Sequence, residues 1–129
     1  MPPAARSLRL LAFMVPAILV ICGIQPVLAA LTGGIPAGWA AELSGPTVLA
    51  AAAAMATARL TDRGNDPPPP PWSAYALLPG SFLLAGAAAM DIFGALVTLP
   101  SIATACWVLL VAGTTIWVGA LVLVRRSAR

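Results

Sequence analysis

The sequence predicts an all-α protein, a four-helix transmembrane bundle with both termini on the cytoplasmic side. Three observations carry this prediction. The chain of 129 residues is 60% hydrophobic and only 9% charged, where soluble domains carry roughly 25% charged residues. It contains four successive apolar stretches near the length of a membrane-crossing helix. Its seven basic residues, all arginine, fall on one side of a four-pass layout. A soluble domain of this size buries too small a share of its surface to hide so much apolar area, and a bilayer removes the need. Mean hydropathy is +0.96, so residues 1–129 are expected to form a single integral membrane domain.

A spanning helix needs about 20 apolar residues, with a range of roughly 17–25. Segments one (about 8–31), three (about 75–99) and four (about 101–124) meet this. Segment one, "RSLRLLAFMVPAILVICGIQPVLA", also resembles a cleavable signal peptide, with a basic start, an apolar middle and a cut after Ala29. Its apolar core is long for that role and is interrupted by Pro16 and Gln25, so an uncleaved span is expected. A lipoprotein signal fits less well, because bulky Ile21 precedes Cys22. Segment two (about 43–60), "LSGPTVLAAAAAMATARL", has fewer large apolar side chains. Its alanine-rich surface suits close approach of neighbouring helices, so a span covered by the other three is expected. Ser44 is placed to cap its start, with Pro46 tolerated in the first turn. The short "TLPS" connection predicts that segments three and four form a tight helical hairpin.

The arginines orient this layout. Arg6 and Arg9 open segment one, Arg59 and Arg63 lie between segments two and three, and Arg125, Arg126 and Arg129 follow segment four. The connection over residues 32–42 has no basic residue, and neither has the turn at Pro100. Basic residues concentrate on the cytoplasmic face, which predicts a multi-pass protein of the cell membrane. The exclusive use of arginine, with abundant alanine, glycine and proline, fits a GC-rich bacterial genome. The "RRSAR" tail acts as a stop-transfer anchor and is placed to meet anionic lipid. Trp39 and Trp72 fall near opposite interfaces, where such rings prefer to lie.

The cytoplasmic loop, about 61–74, contains "RGNDPPPPPWS". Pro67, Pro68, Pro69, Pro70 and Pro71 predict a polyproline II rod, rising about 3.1 Å per residue. With Trp72 it offers a docking segment for a proline-binding partner. The plainer reading is a stiff spacer that also stops segment two.

Several function classes are excluded by composition. The chain has no histidine and two cysteines. Both Cys22 and Cys106 lie inside apolar segments and are expected to be small buried hydrophobes. No metal site and no cofactor are expected. The arginines form no patch interleaved with aromatics, so nucleic acid is not an expected partner. Apart from Asp91, the carboxylates Glu42, Asp62 and Asp66 lie in predicted loops. No catalytic pair forms by spacing, and the chain is expected not to be an enzyme.

Asp91 is the exception within the apolar pattern. A carboxylate at a helix centre in the bilayer costs roughly 2.5–3.5 kcal/mol on insertion scales. It must take up a proton, pair with a donor or face water. Steps of three and four residues place it on a small face with Leu84, Ala87, Ala88, Gly94, Ala95 and Thr98. The opposite face carries Phe82, Ala89, Ile92, Phe93 and Leu96. Small faces pack against helices, so Asp91 is expected to point inward. Counting about 1.5 Å per residue from the segment ends, Gln25 of segment one lies at a similar depth, and its amide can donate to the carboxyl. Pro26 frees the Cys22 carbonyl as a second partner. Thr47 is expected to be shallower than Asp91, and Cys106 to contribute little. The expected intramembrane polar site is therefore Asp91 with Gln25.

The function expected from these features is a non-catalytic accessory or structural subunit of a larger bacterial membrane complex. Its expected partners are the lipid bilayer and other membrane subunits or a second copy of itself. A small proton- or ion-coupled transporter, acting as a homo-oligomer with Asp91 as its coupling carboxylate, is the alternative. A phage-type holin is a further one.

Overall fold

The computed structural model describes residues 3–61 and 72–127, and its regular structure is four α-helices without strands among those residues. They are α1 (Pro3–Leu31), α2 (Ala37–Thr61), α3 (Ser73–Gly94) and α4 (Pro100–Ser127). The polyproline segment Pro67–Pro71 lies outside the described residues, as do Asp62, Arg63, Asp66 and Arg129.

Local chemistry sets the ends. After α1, Gly33 takes the left-handed conformation (φ 81°). Its N–H donates to the Ala30 carbonyl at 3.0 Å, and that of Gly34 donates to Ala29 at 2.8 Å. This is the Schellman pattern that satisfies the last free carbonyls of a helix, and glycine adopts its backbone without steric penalty. α2 begins at Ala37, six residues earlier than the sequence suggested, with the Pro36 carbonyl accepting from Ala40 N–H at 3.1 Å. Ser44 therefore does not cap it. Ser44 is buried mid-helix, and its hydroxyl finds no partner among the described residues. Pro46 likewise sits inside the helix and not in its first turn.

α3 ends at Gly94, five residues before the expected Leu99. Residues that precede a proline avoid the helical region, and here the non-helical stretch runs back through β-branched Thr98 and Val97. The chain resumes at Pro100, the favoured first helical position because its missing N–H would have had no partner.

Around the bundle the order is α1, α2, α4, α3, with α1 and α3 also adjacent. α2 and α3 meet only across the centre. α3 and α4 run antiparallel. Their backbones approach closely at Gly80, where a Cβ would lie 2.8 Å from the main chain of Trp117. Gly113 returns the contact against Leu83 and Leu84. Gly119 faces open space and takes no part. Trp117 is fully buried in the core with Leu77, Leu84, Leu121 and Val124, whereas Trp107 is exposed.

The outer surface is strongly apolar. Phe13, Ile21, Leu49, Phe82, Val108 and Leu123 are all exposed. Three helices are long and apolar enough to cross a membrane: Arg6–Leu31, Ser73–Gly94 and Pro100–Ser127. α2 is long enough, at 25 residues, but is not in that set, because Glu42, Ser44, Gly45, Pro46, Thr47 and Arg59 dilute its apolar residues. The sequence expectation of a weaker, alanine-rich second segment agrees with this set of three, but the other helices do not cover it: α2 packs on α1 and α4 and leaves Leu49 and Leu60 exposed.

Candidate functional site

Asp91 is fully buried, at 0% exposure. The helical period that places it inward also buries Leu84, Ala87, Ala88 and Gly94, and leaves Phe82, Ile92 and Phe93 exposed. Its carboxyl oxygens contact two side chains from the other half of the bundle. Thr47 Oγ1 of α2 lies 2.6 Å from Asp91 Oδ2. Cys106 Sγ of α4 lies 3.4 Å from Oδ1, and 3.8 Å from the Ala87 carbonyl.

α1 contributes to the same layer through an absence. A Cβ on Gly23 would stand 2.9 Å from Thr47 Cγ2. Only a residue without a side chain lets Thr47 sit against α1 while its hydroxyl reaches α3. Gly23, Thr47, Asp91 and Cys106 thus form one layer with a residue from each helix. A second layer lies one helical turn nearer the end of α3. There the Leu43 side chain fills the space over Gly94, and Trp39 Nε1 donates to the Gly94 carbonyl at 2.8 Å. That carbonyl belongs to the last turn of α3 and would otherwise lack a partner. Trp39 is therefore a clamp between α2 and α3.

The proton count of the Asp91 cluster is constrained. A threonine hydroxyl has one proton, yet Thr47 Oγ1 lies within reach of both the Leu43 carbonyl, at 3.0 Å, and Asp91 Oδ2. If Thr47 donates to Leu43, Asp91 carries a proton on Oδ2 and donates to Thr47, while Cys106 donates to Oδ1. If Thr47 donates to Asp91, the carboxylate is held by one hydroxyl and one thiol. In the first arrangement a continuous chain of donors ends on a backbone carbonyl. In the second a full charge rests on two neutral donors.

Gln25 is not part of this site. It is exposed, and its amide donates to the Ile21 carbonyl of its own helix at 3.3 Å. Equal depth along two helices does not fix which way a side chain points, and the buried face of α1 at this level belongs to Gly23 and Pro26. The hydrogen bonds of Asp91 run to Thr47 and Cys106, not to the Cys22 carbonyl freed by Pro26. Trp72 is exposed at the start of α3, without a side-chain capping bond.

Among the described residues no three side chains of the histidine, cysteine, aspartate or glutamate type gather as a metal site. Among the described residues, the clefts lined by Arg9 and Phe13, by Trp107 and Val108, by Val15 and Ser81, and by Leu49 and Thr114 do not include Asp91, Thr47 or Cys106. Compared with known proteins, the chain matches no family model, no curated protein and no solved structure.

Proposed function

We propose that this chain is a non-catalytic accessory or structural subunit of a larger bacterial membrane complex, with Asp91 as the polar lock of its bundle. The observation that carries the reading is the closure of Asp91 by Thr47 and Cys106 at 0% exposure. A coupling carboxylate must meet its ion or proton along a path from water. Here both oxygens are engaged inside the bundle at full burial. Interhelical hydrogen bonds of this kind fix register between membrane helices, where apolar packing alone discriminates little.

All four helices cross the membrane in this proposal. α2 is about 37 Å long at 1.5 Å per residue. It spans the same height as its neighbours, from Trp39 beside the end of α3 to Arg59 beside Arg9 and Arg125. With crossing α2, the positive-inside rule places both termini in the cytoplasm, and α3 and α4 form the hairpin read from the "TLPS" turn. The exposed apolar faces are then covered by lipid and by partner subunits.

The test is extraction of the tagged protein from its host in mild detergent, followed by native sizing and mass spectrometry. Stoichiometric recovery with other membrane subunits supports the proposal. Recovery as a defined homo-oligomer without other chains refutes it, and directs attention to the transporter reading.

A further inference from the structure

Three of the four helices are interrupted at one level of the bundle. On α1, Pro26 lies three residues beyond Gly23 towards the α1–α2 connection, and on α2 Pro46 lies one residue beyond Thr47 towards the same connection. α3 itself stops at Gly94, three residues beyond Asp91. At about 1.5 Å per residue, all three breaks fall within about 5 Å of the Asp91 layer. α4 passes this level without a proline. The other helix-interior prolines, Pro16 and Pro79, stand seven residues from Gly23 and twelve from Asp91, away from this level. A proline has no N–H for the carbonyl four residues before it, so Cys22 and Glu42 cannot receive their ordinary helical bonds. Sharp bends of long helices gather at such positions. Beyond the breaks lies one continuous piece, residues 27–45, in which the N–H groups of Gly33 and Gly34 fold the connection back onto Ala30 and Ala29. It is held to the end of α3 by Trp39 Nε1, 2.8 Å from the Gly94 carbonyl, and by Leu43 over Gly94.

We propose that residues 27–45 form a hinged cap over the Asp91 layer, turning on Pro26 and Pro46 and latched to Gly94 by Trp39 and Leu43. The two hinges stand on neighbouring helices at nearly the same height, so the ends of α1 and α2 move as one hairpin. On the far side of the hinges both helices are fixed. Leu19 of α1 and Ala51 and Ala54 of α2 belong to the core, Gly23 seats Thr47, and Thr47 is bonded to Asp91. The latch is small by comparison, one indole hydrogen bond and one leucine side chain on the last turn of α3. Closed, the cap seals Asp91 at 0% exposure. Open, it admits water to Asp91 and Cys106 from the end where α1 passes into α2. The inference concerns the closure of this layer and does not rest on the chain being an accessory subunit: a rigid cap leaves that reading intact.

The test measures distances between spin labels by pulsed electron paramagnetic resonance in the full chain, reconstituted in mild detergent. One pair, Thr32→Cys with Phe82→Cys, reports the cap against α3. The other, Leu49→Cys with Phe82→Cys, reports α2 beyond the hinge against the same point. All three positions are exposed. The native thiols lie in apolar helices, where the reactive thiolate is disfavoured, and are left unlabelled. With Trp39 in place the cap pair is expected to give one distance. Trp39→Ala removes the latch bond and should raise the open share at least about fivefold, adding a second, longer distance for the cap pair. The Leu49 pair should keep its single distance. Pro46→Ala restores the missing N–H and stiffens α2, and in the Trp39→Ala background it should abolish the second distance. A single cap distance in Trp39→Ala overturns the proposal. So does a second distance that appears equally in the Leu49 pair, which is general loosening, or one that survives Pro46→Ala, which is fraying without a hinge.

Discussion

Removing the Thr47 hydroxyl isolates the contact that joins α2 to α3 across the centre of the bundle. Thr47→Val keeps the shape of the side chain, including the methyl group against Gly23. The 2.6 Å partner of Asp91 Oδ2 is lost, while the Leu43 carbonyl keeps its ordinary helical N–H bond. Interhelical hydrogen bonds in membrane proteins average about 0.6 kcal/mol and reach about 1.7. This contact is short and fully buried, so a cost near the upper value, about 1.5 kcal/mol, is expected. The assay is reversible unfolding in mixed micelles, followed by the fluorescence of the four tryptophans, of which Trp117 is fully buried. A double-mutant cycle with Asp91→Ala separates the hydrogen bond from packing. In the Asp91→Ala background, Thr47→Val should cost less than about 0.3 kcal/mol, because its partner is gone. An equal cost in both backgrounds would refute a Thr47–Asp91 bond as the source of stability.

Other contacts give independent checks. Gly80→Ala should destabilise by about 1–3 kcal/mol in the same assay, since its new methyl would press on the Trp117 backbone 2.8 Å away. Gly119→Ala, facing open space, should change stability by less than about 0.5 kcal/mol. Trp39→Phe keeps an aromatic ring but loses the 2.8 Å bond to the Gly94 carbonyl, and should lower the unfolding free energy by about 1 kcal/mol. Cys106 is buried and Cys22 half-buried. Both thiols lie within apolar helices, where the reactive thiolate is disfavoured, so maleimide should leave both unmodified in the folded protein and modify both on unfolding, as read by mass spectrometry of peptides.

The helices were legible because apolar runs of spanning length leave few alternatives. The inward face of α3 was legible for a similar reason: a period of 3.6 separates Ala87, Ala88, Asp91 and Gly94 from Phe82, Ile92 and Phe93. The partner of Asp91 was not. Depth was counted from segment ends, and two ends moved in opposite senses. α3 stops at Gly94, so Asp91 lies three residues from its end, not eight. α2 starts at Ala37, so Thr47 lies ten residues in, not four. Each shift hid the pairing that the structure reveals. Hydropathy located the apolar core of α2 but not its first turns, where Gly38, Trp39 and Glu42 interrupt the pattern. Cys106 reads in the sequence as a small hydrophobe and is buried, but its thiol is also a donor. Gly23 carried no signal, because its role is the space that it leaves for Thr47.

The most direct test of the central claim is the unfolding free energy of Asp91→Asn. An asparagine can donate from Nδ2 to Thr47 while Thr47 donates to Leu43, and its Oδ1 can accept from Cys106. It therefore keeps every hydrogen bond of the uncharged arrangement and adds one buried N–H. A polar lock predicts a loss of about 1 kcal/mol, from the extra N–H alone, well short of that of Asp91→Ala, and an unchanged native size. A loss as large as that of Asp91→Ala would show that the site depends on a carboxylate charge, and would contradict the lock.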